Sequence, residues 1–321
     1  MPLITTHTYF AEDLLPSLPK TLSSKLQEKQ NVYTLFAQGF DPFLFYEFLK
    51  IKKQNLQNYF HTQETDRFFI NFIHTLKETK EINNPYLLGA LYGHLAHYVL
   101  DSTLHPYIIY KTGNYEKTQK ETKKYKGGHT NLEMQLDAYL YKQKNQKEYK
   151  DFKIHQLISK EKFPSNLIEL LNATYEKTFK IKNLGFAYEK GCKKMYYAYK
   201  FLIEDSWGLK KRMYFFLDLL CPKSSNKYST FSNHITYINI DYFNLEHKIW
   251  FNPWCDNESS TASIFDLYEE AKKRAILLFI ETDKYLNNKL SFTEYKEILR
   301  EDDYTTGKSW TLKKELKHLE F

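Results

Sequence analysis

Glycine, proline and cysteine are all sparse, with 10, 9 and 3 residues in a chain of 321. With so few turn-formers and helix breakers, long stretches fill with Lys, Leu, Glu and Tyr, and the composition predicts a mostly helical protein. Cys192, Cys221 and Cys255 are odd in number and widely spaced, which excludes a disulfide framework and leaves no CxxC pair for a metal. No run reaches the roughly 18 uninterrupted apolar residues that a bilayer-spanning helix needs. The opening MPLITTHTYFAEDLLPSLPK has no charged stretch followed by a continuous apolar one, so no secretory leader is expected and the reading is cytoplasmic. Internal repeats, a P-loop, a Rossmann glycine pattern and a nucleophile elbow are also missing.

Charge is not concentrated either. The 46 basic and 39 acidic residues leave a net +7 spread along the whole length. That describes a mildly cationic surface, a weak hint of an anionic partner, and no specific nucleic-acid binding is expected.

What is present is a helix with an anomaly. Residues 86–105, YLLGALYGHLAHYVLDSTLH, read as one long apolar helix, yet His94, His97, Asp101 and His105 fall on it at steps of three and four. At about 3.6 residues per turn those four share one stripe, polar where a core helix should be apolar. Buried imidazoles and carboxylates need partners, and a divalent cation can partner several at once. His97 and Asp101, at i and i+4, are spaced as helical zinc-binding pairs are. His105 precedes Pro106, which predicts a bend there. Gly89, Gly93 and Ala96 would let a neighbouring helix approach closely.

Other stretches supply further candidates. His7 lies near the start, before a helix broken by Pro16 and Pro19. In QGFDPF, Asp41 suits a helix N-cap before Pro42, a role compatible with metal ligation by the same carboxylate. His61 is read at the start of a helix running to Lys77, with His74 in its body. Residues 111–126 form a polar, Lys-rich stretch that reads as a solvated, mobile connection, with a cationic lip over the site and a point of peripheral membrane contact as the functional alternative. After Gly127-Gly128 comes HTNLE, with His129 and Glu133 one turn apart. Thr130 to Glu133 also matches a capping box that would occupy Glu133 with backbone, and the residues alone leave both readings open. Beyond residue 150 the histidines thin out, and helical patterns at about 165–180, 184–206, 208–220 and 262–287 are rich in Tyr, Phe and Leu. Residues 224–254 read as irregular, with Tyr237, Tyr242, Trp250 and Trp254 packing across helices. The reading is therefore a metal-binding helical core at 1–150 and a helical, aromatic-rich scaffold at 151–321 packed on it, or one continuous domain.

His7, QGFDPF, His61, GALYGHLAHYVLDSTLHPYI and HTNLE come in an order that resembles the bacterial zinc-dependent phospholipase C family, in its intracellular branch. The resemblance covers most of residues 1–145 and implies an all-α, multi-helical fold of the zinc-dependent phospholipase C and single-strand nuclease kind, here with a helical C-terminal extension. It implies a first zinc on Asp41, His61, His97 and Asp101, and a second on His105, His129 and Glu133. A third would take His7 and share Asp101; in secreted members the processed amino-terminal residue completes that site, whereas this chain begins Met-Pro. The implied activity is hydrolysis of a phosphodiester such as a phospholipid headgroup by metal-activated water, with Asp41 or Asp101 orienting that water. A zinc-stabilised helical protein without turnover, and a zinc nuclease with a base-stacking platform, are the alternatives.

Overall fold

A computed structural model describes residues 4–47, 55–116, 119–222 and 227–320. Among these the chain forms α1 (Ile4–Leu14), α2 (Lys20–Glu28), α3 (Gln30–Phe36), α4 (Pro42–Glu47), α5 (Leu56–Thr62) and α6 (Thr65–Glu78). There follow α7 (Pro85–Thr112), α8 (Gly128–Asn145), α9 (Ser165–Phe179), α10 (Leu184–Ala198), α11 (Leu209–Leu220), α12 (Ile264–Leu286) and α13 (Phe292–Leu299). A two-residue antiparallel ribbon pairs β1 (Trp250–Phe251) with β2 (Ser259–Ser260). The protein is all-α, as the scarcity of glycine and proline predicts. No helix among the described residues is long and apolar enough to cross a membrane.

The buried axis is α7. It starts on Asn84, whose side chain accepts the Tyr86 amide at 3.0 Å, with Pro85 in the first turn, a favourable helix start. Its whole middle is buried, with α1, α2, α3, α6, α8 and α12 around it. Gly89 and Gly93 face α3. A Cβ at Gly93 would lie 2.5 Å from the Tyr33 carbonyl oxygen, so the close crossing expected from the glycines is present.

Two expectations about helix boundaries are corrected. α7 continues through Pro106 to Thr112 instead of bending away at His105. Proline removes the amide that would bond the Ser102 carbonyl, and the chain lays Gly307 (φ +63°) against that carbonyl, where a Cβ would come within 2.4 Å. His61 ends the short helix α5 and does not begin α6, because Glu64 takes a left-handed conformation between them.

The C-terminal half buttresses the first. Gly191 of α10 sits on the Pro42 carbonyl, and the Tyr188 hydroxyl donates to Gly39 O at 2.8 Å. Arg274 of α12 bonds the Ser102 hydroxyl and the Asp302 carboxylate, both at 3.0 Å. That ties residues 302–309 to α7. Of the aromatics in 224–254, Trp250 is buried edge-on to Tyr107, but Tyr237 is exposed.

Candidate metal centre

His7, Asp41, His61, Asp101, His105, His129 and Glu133 all line one cavity of about 160 Å³. His97, fully buried, lies against it. Five elements deliver these side chains: α1, the turn before α4, α5, α7 and α8. They meet as three groups, His7 with His97 and Asp101, Asp41 with His61 and His97, and His105 with His129 and Glu133. Within each group the donor atoms lie within 4.8 Å of one another.

Local structure explains each placement. α8 begins at Gly128, so His129 and Glu133 share a face, with Nε2 2.9 Å from Oε1. The capping-box alternative for Glu133 is not what forms. One turn further on, Asp137 accepts the Thr5 and Thr6 amides at 3.2 and 2.8 Å and the Thr6 and Tyr149 hydroxyls at 2.7 and 3.0 Å. This buried carboxylate caps the start of α1 from another helix and so fixes His7 relative to Glu133.

The imidazoles are oriented by carbonyls. His97 Nδ1 meets Ala37 O at 3.1 Å, and His105 Nδ1 meets Tyr304 O at 2.8 Å. A carbonyl can only accept, so each Nδ1 carries a proton and each Nε2 is left facing the cavity side. Gln57 holds Asp41 and His61 together, its Nε2 lying 3.0 Å from Asp41 Oδ1 and 2.9 Å from His61 Nδ1. The Tyr304 ring stacks on His61 with centroids 4.8 Å apart.

Electrostatics centre on Asp101, whose Oδ1 is 3.2 Å from His7 Nε2 and whose Oδ2 is 3.2 Å from His97 and 3.7 Å from His105. Burial alone would push its carboxyl up, but His105, His97 and His7 outweigh it and hold the group well below the usual range. Burial works against charge on His105 too, yet Asp101 and Glu133 lift it to about 9. Burial lowers His7 and His61, and raises Asp41.

The donors present fit zinc. They are nitrogens and carboxylate oxygens, the set zinc favours, and the buried His7 Nδ1 has no hydrogen-bond partner among the described residues. His61 and His97 point Nε2 at Nε2 across 3.2 Å. That spacing and the two of 3.2 Å from Asp101 to His7 and His97 match the edge, roughly 3.3 Å, of a tetrahedron with zinc–nitrogen bonds of about 2.0 Å.

Other candidates lie elsewhere. His94 is packed among Phe36, Phe40, Phe68 and Tyr188, its Nδ1 on Ala90 O, and burial pushes it down to about 3. His74 meets Tyr285 OH at 3.1 Å. None of the described residues of the lysine-rich connection lines the centre. Lys124 and Lys126 line a separate cavity of about 510 Å³, and among the described residues no lysine lines the smaller one.

Sequence reasoning missed Gln57, Gly39, Asp137 and Tyr304. Asp137 carried a signal, the same four-residue step from Glu133 that links Glu133 to His129. Gly39 (φ +51°) did too, two residues before Asp41; a Cβ there would sit 2.0 Å from the His97 ring. Tyr304 had none, being some 200 positions from His105 in the chain.

Residues 6–184, more than half of the chain, match a family model described as zinc dependent phospholipase C. No curated protein and no solved structure matches.

Proposed function

The chain belongs to the zinc-dependent phospholipase C family, and from that premise we propose that it is a zinc-dependent phosphoesterase hydrolysing a phosphodiester, with phospholipid headgroups as its substrate class. The observation that carries this reading is the sign of the cavity wall. Among the described residues its lining includes Asp41, Asp101 and Glu133 and no lysine or arginine. A phosphodiester anion would be repelled there unless the same carboxylates and imidazoles hold cations.

His7, Asp41, His61, His97, Asp101, His105, His129 and Glu133 would hold the ions. Bound zinc supplies Lewis acidity toward phosphoryl oxygens and makes water more acidic. The chain does the rest. Asp101 has both oxygens engaged by imidazoles, so its part is to anchor. Asp41 meets the Gln57 amide and, at 3.8 Å, His61, and is the carboxylate placed to orient a water and take its proton. Asn58 and Thr305 offer neutral polar groups in the wall, while Leu44 and Ile109 form its apolar part. A wall with polar groups beyond the ligand set favours turnover over a closed structural site.

The test is metal content together with turnover of an aryl phosphodiester and of phosphatidylcholine. Zinc-dependent hydrolysis, lost on chelation and restored by zinc, is expected. A zinc-loaded protein inert toward both would overturn the reading.

A further inference from the structure

Surface helices normally turn their apolar face inward; α11 is mounted the other way round. Three of its polar side chains bond back onto the protein. Lys210 and Lys211 donate to the Glu204 and His234 carbonyls at 2.5 and 2.7 Å, and Asp218 accepts the Tyr228 and Ser229 amides at 2.6 and 3.0 Å. Outward, Leu209, Met213, Phe216 and Leu220 follow one another at steps of four, three and four, a single stripe, exposed by 65, 51, 63 and 77%. Trp207, 84% exposed, stands just ahead of it. Scattered apolar residues on a surface are ordinary, but a continuous stripe along a helix marks an interaction site.

We propose that α11 is a docking surface for anionic phospholipid bilayers. Charge selects this occupant. Beside the helix, Lys211 and Phe215 line the larger cavity together with Lys124, Lys126 and Lys227, and Arg212 is exposed on the helix itself. An anionic leaflet complements that rim, whereas a second copy of a chain of net charge +7 docked through the same face would bring lysines against lysines. The form of the stripe agrees with it. Twelve residues are too few to span a bilayer, which takes about 20, but suit a helix lying in the interface plane, with an aromatic anchor at one end. The helix itself lies beyond the family match, which ends at residue 184. The proposal rests on the phosphoesterase reading only for the reason a lipid surface would be visited.

The experiment is flotation of the full chain with vesicles of phosphatidylcholine alone and of phosphatidylcholine with phosphatidylglycerol, at low and high salt. Binding to the anionic vesicles, weakened by salt, is expected. The triple variant Met213→Ser, Phe216→Ser, Leu220→Ser should lower the partition coefficient at least ~10-fold while keeping the helical circular dichroism and the turnover of a water-soluble diester. Lys124→Glu with Lys126→Glu, which leaves the stripe intact, should abolish the preference for phosphatidylglycerol. No vesicle binding by the wild-type chain, binding that survives the triple variant, or a dimer in sedimentation that the triple variant dissociates would each overturn the proposal. A chain that binds vesicles but hydrolyses no diester leaves the docking surface standing and removes the phosphoesterase reading.

Discussion

Asp101 touches three imidazoles with two oxygens, so its charge is the one that the largest part of the centre is built on. Asp101→Asn keeps the shape and removes the charge; zinc affinity should fall more than ~100-fold, the upper end of what outer partners of metal ligands cost, and diester hydrolysis should fall with it, both read by zinc titration and steady-state rates. Gly39 contributes through what it lacks. Its φ is +51°, and a Cβ added there would stand only 2.0 Å from the His97 ring. Gly39→Ala should therefore destabilise the metal-free protein by about 2 kcal/mol or more in denaturant unfolding and weaken zinc binding. Tyr304 separates two contributions of one side chain. Its buried hydroxyl has no hydrogen-bond partner among the described residues, so Tyr304→Phe should be neutral or stabilising. Tyr304→Ala removes the ring stacked on His61 and should cost about 3–5 kcal/mol, measured by the same unfolding.

At the scale of elements, α1 and α8 are joined by Asp137, and that joint has a pH signature. Burial pushes this carboxyl up to about 6, its hydrogen-bond donors opposing the rise. The group binds its proton more tightly folded than unfolded, so its contribution to stability is full below the ordinary carboxyl range and is lost as pH climbs toward 6. Relative to Asp137→Asn, which does not titrate, the wild-type chain should lose about 2 kcal/mol of stability between pH 4 and 6. Parallel unfolding curves of the two proteins across that range would contradict it. Helices were legible in the sequence where period and breakers agree, as at α7, α9, α10 and α12. What was not legible was tertiary in origin. A left-handed Glu64 has no composition signal and split the helix read from His61 to Lys77. Pro106 does not end α7, and Gly307, some 200 positions on, packs against the Ser102 carbonyl that the proline leaves without its amide. α11 was visible as a helix, but which of its faces meets water was not.

Across the whole molecule, the eight candidate ligands were legible because most come in short steps along α7 and α8, and the family resemblance supplied His7, Asp41 and His61. Their shared use was not. His97 belongs to two of the three donor groups, and the carbonyl that orients His105 arrives from residue 304, outside the matched region. A centre assembled from five elements should also hold them together: chelation should lower the melting temperature, and zinc should restore it in proportion to occupancy. The most direct test of the account is anomalous diffraction at the zinc edge from crystals of the zinc-loaded chain. It predicts peaks between His105, His129 and Glu133 and among Asp41, His61, His97 and Asp101, with a further one at His7. Loaded crystals with no anomalous peak in that cavity would contradict it.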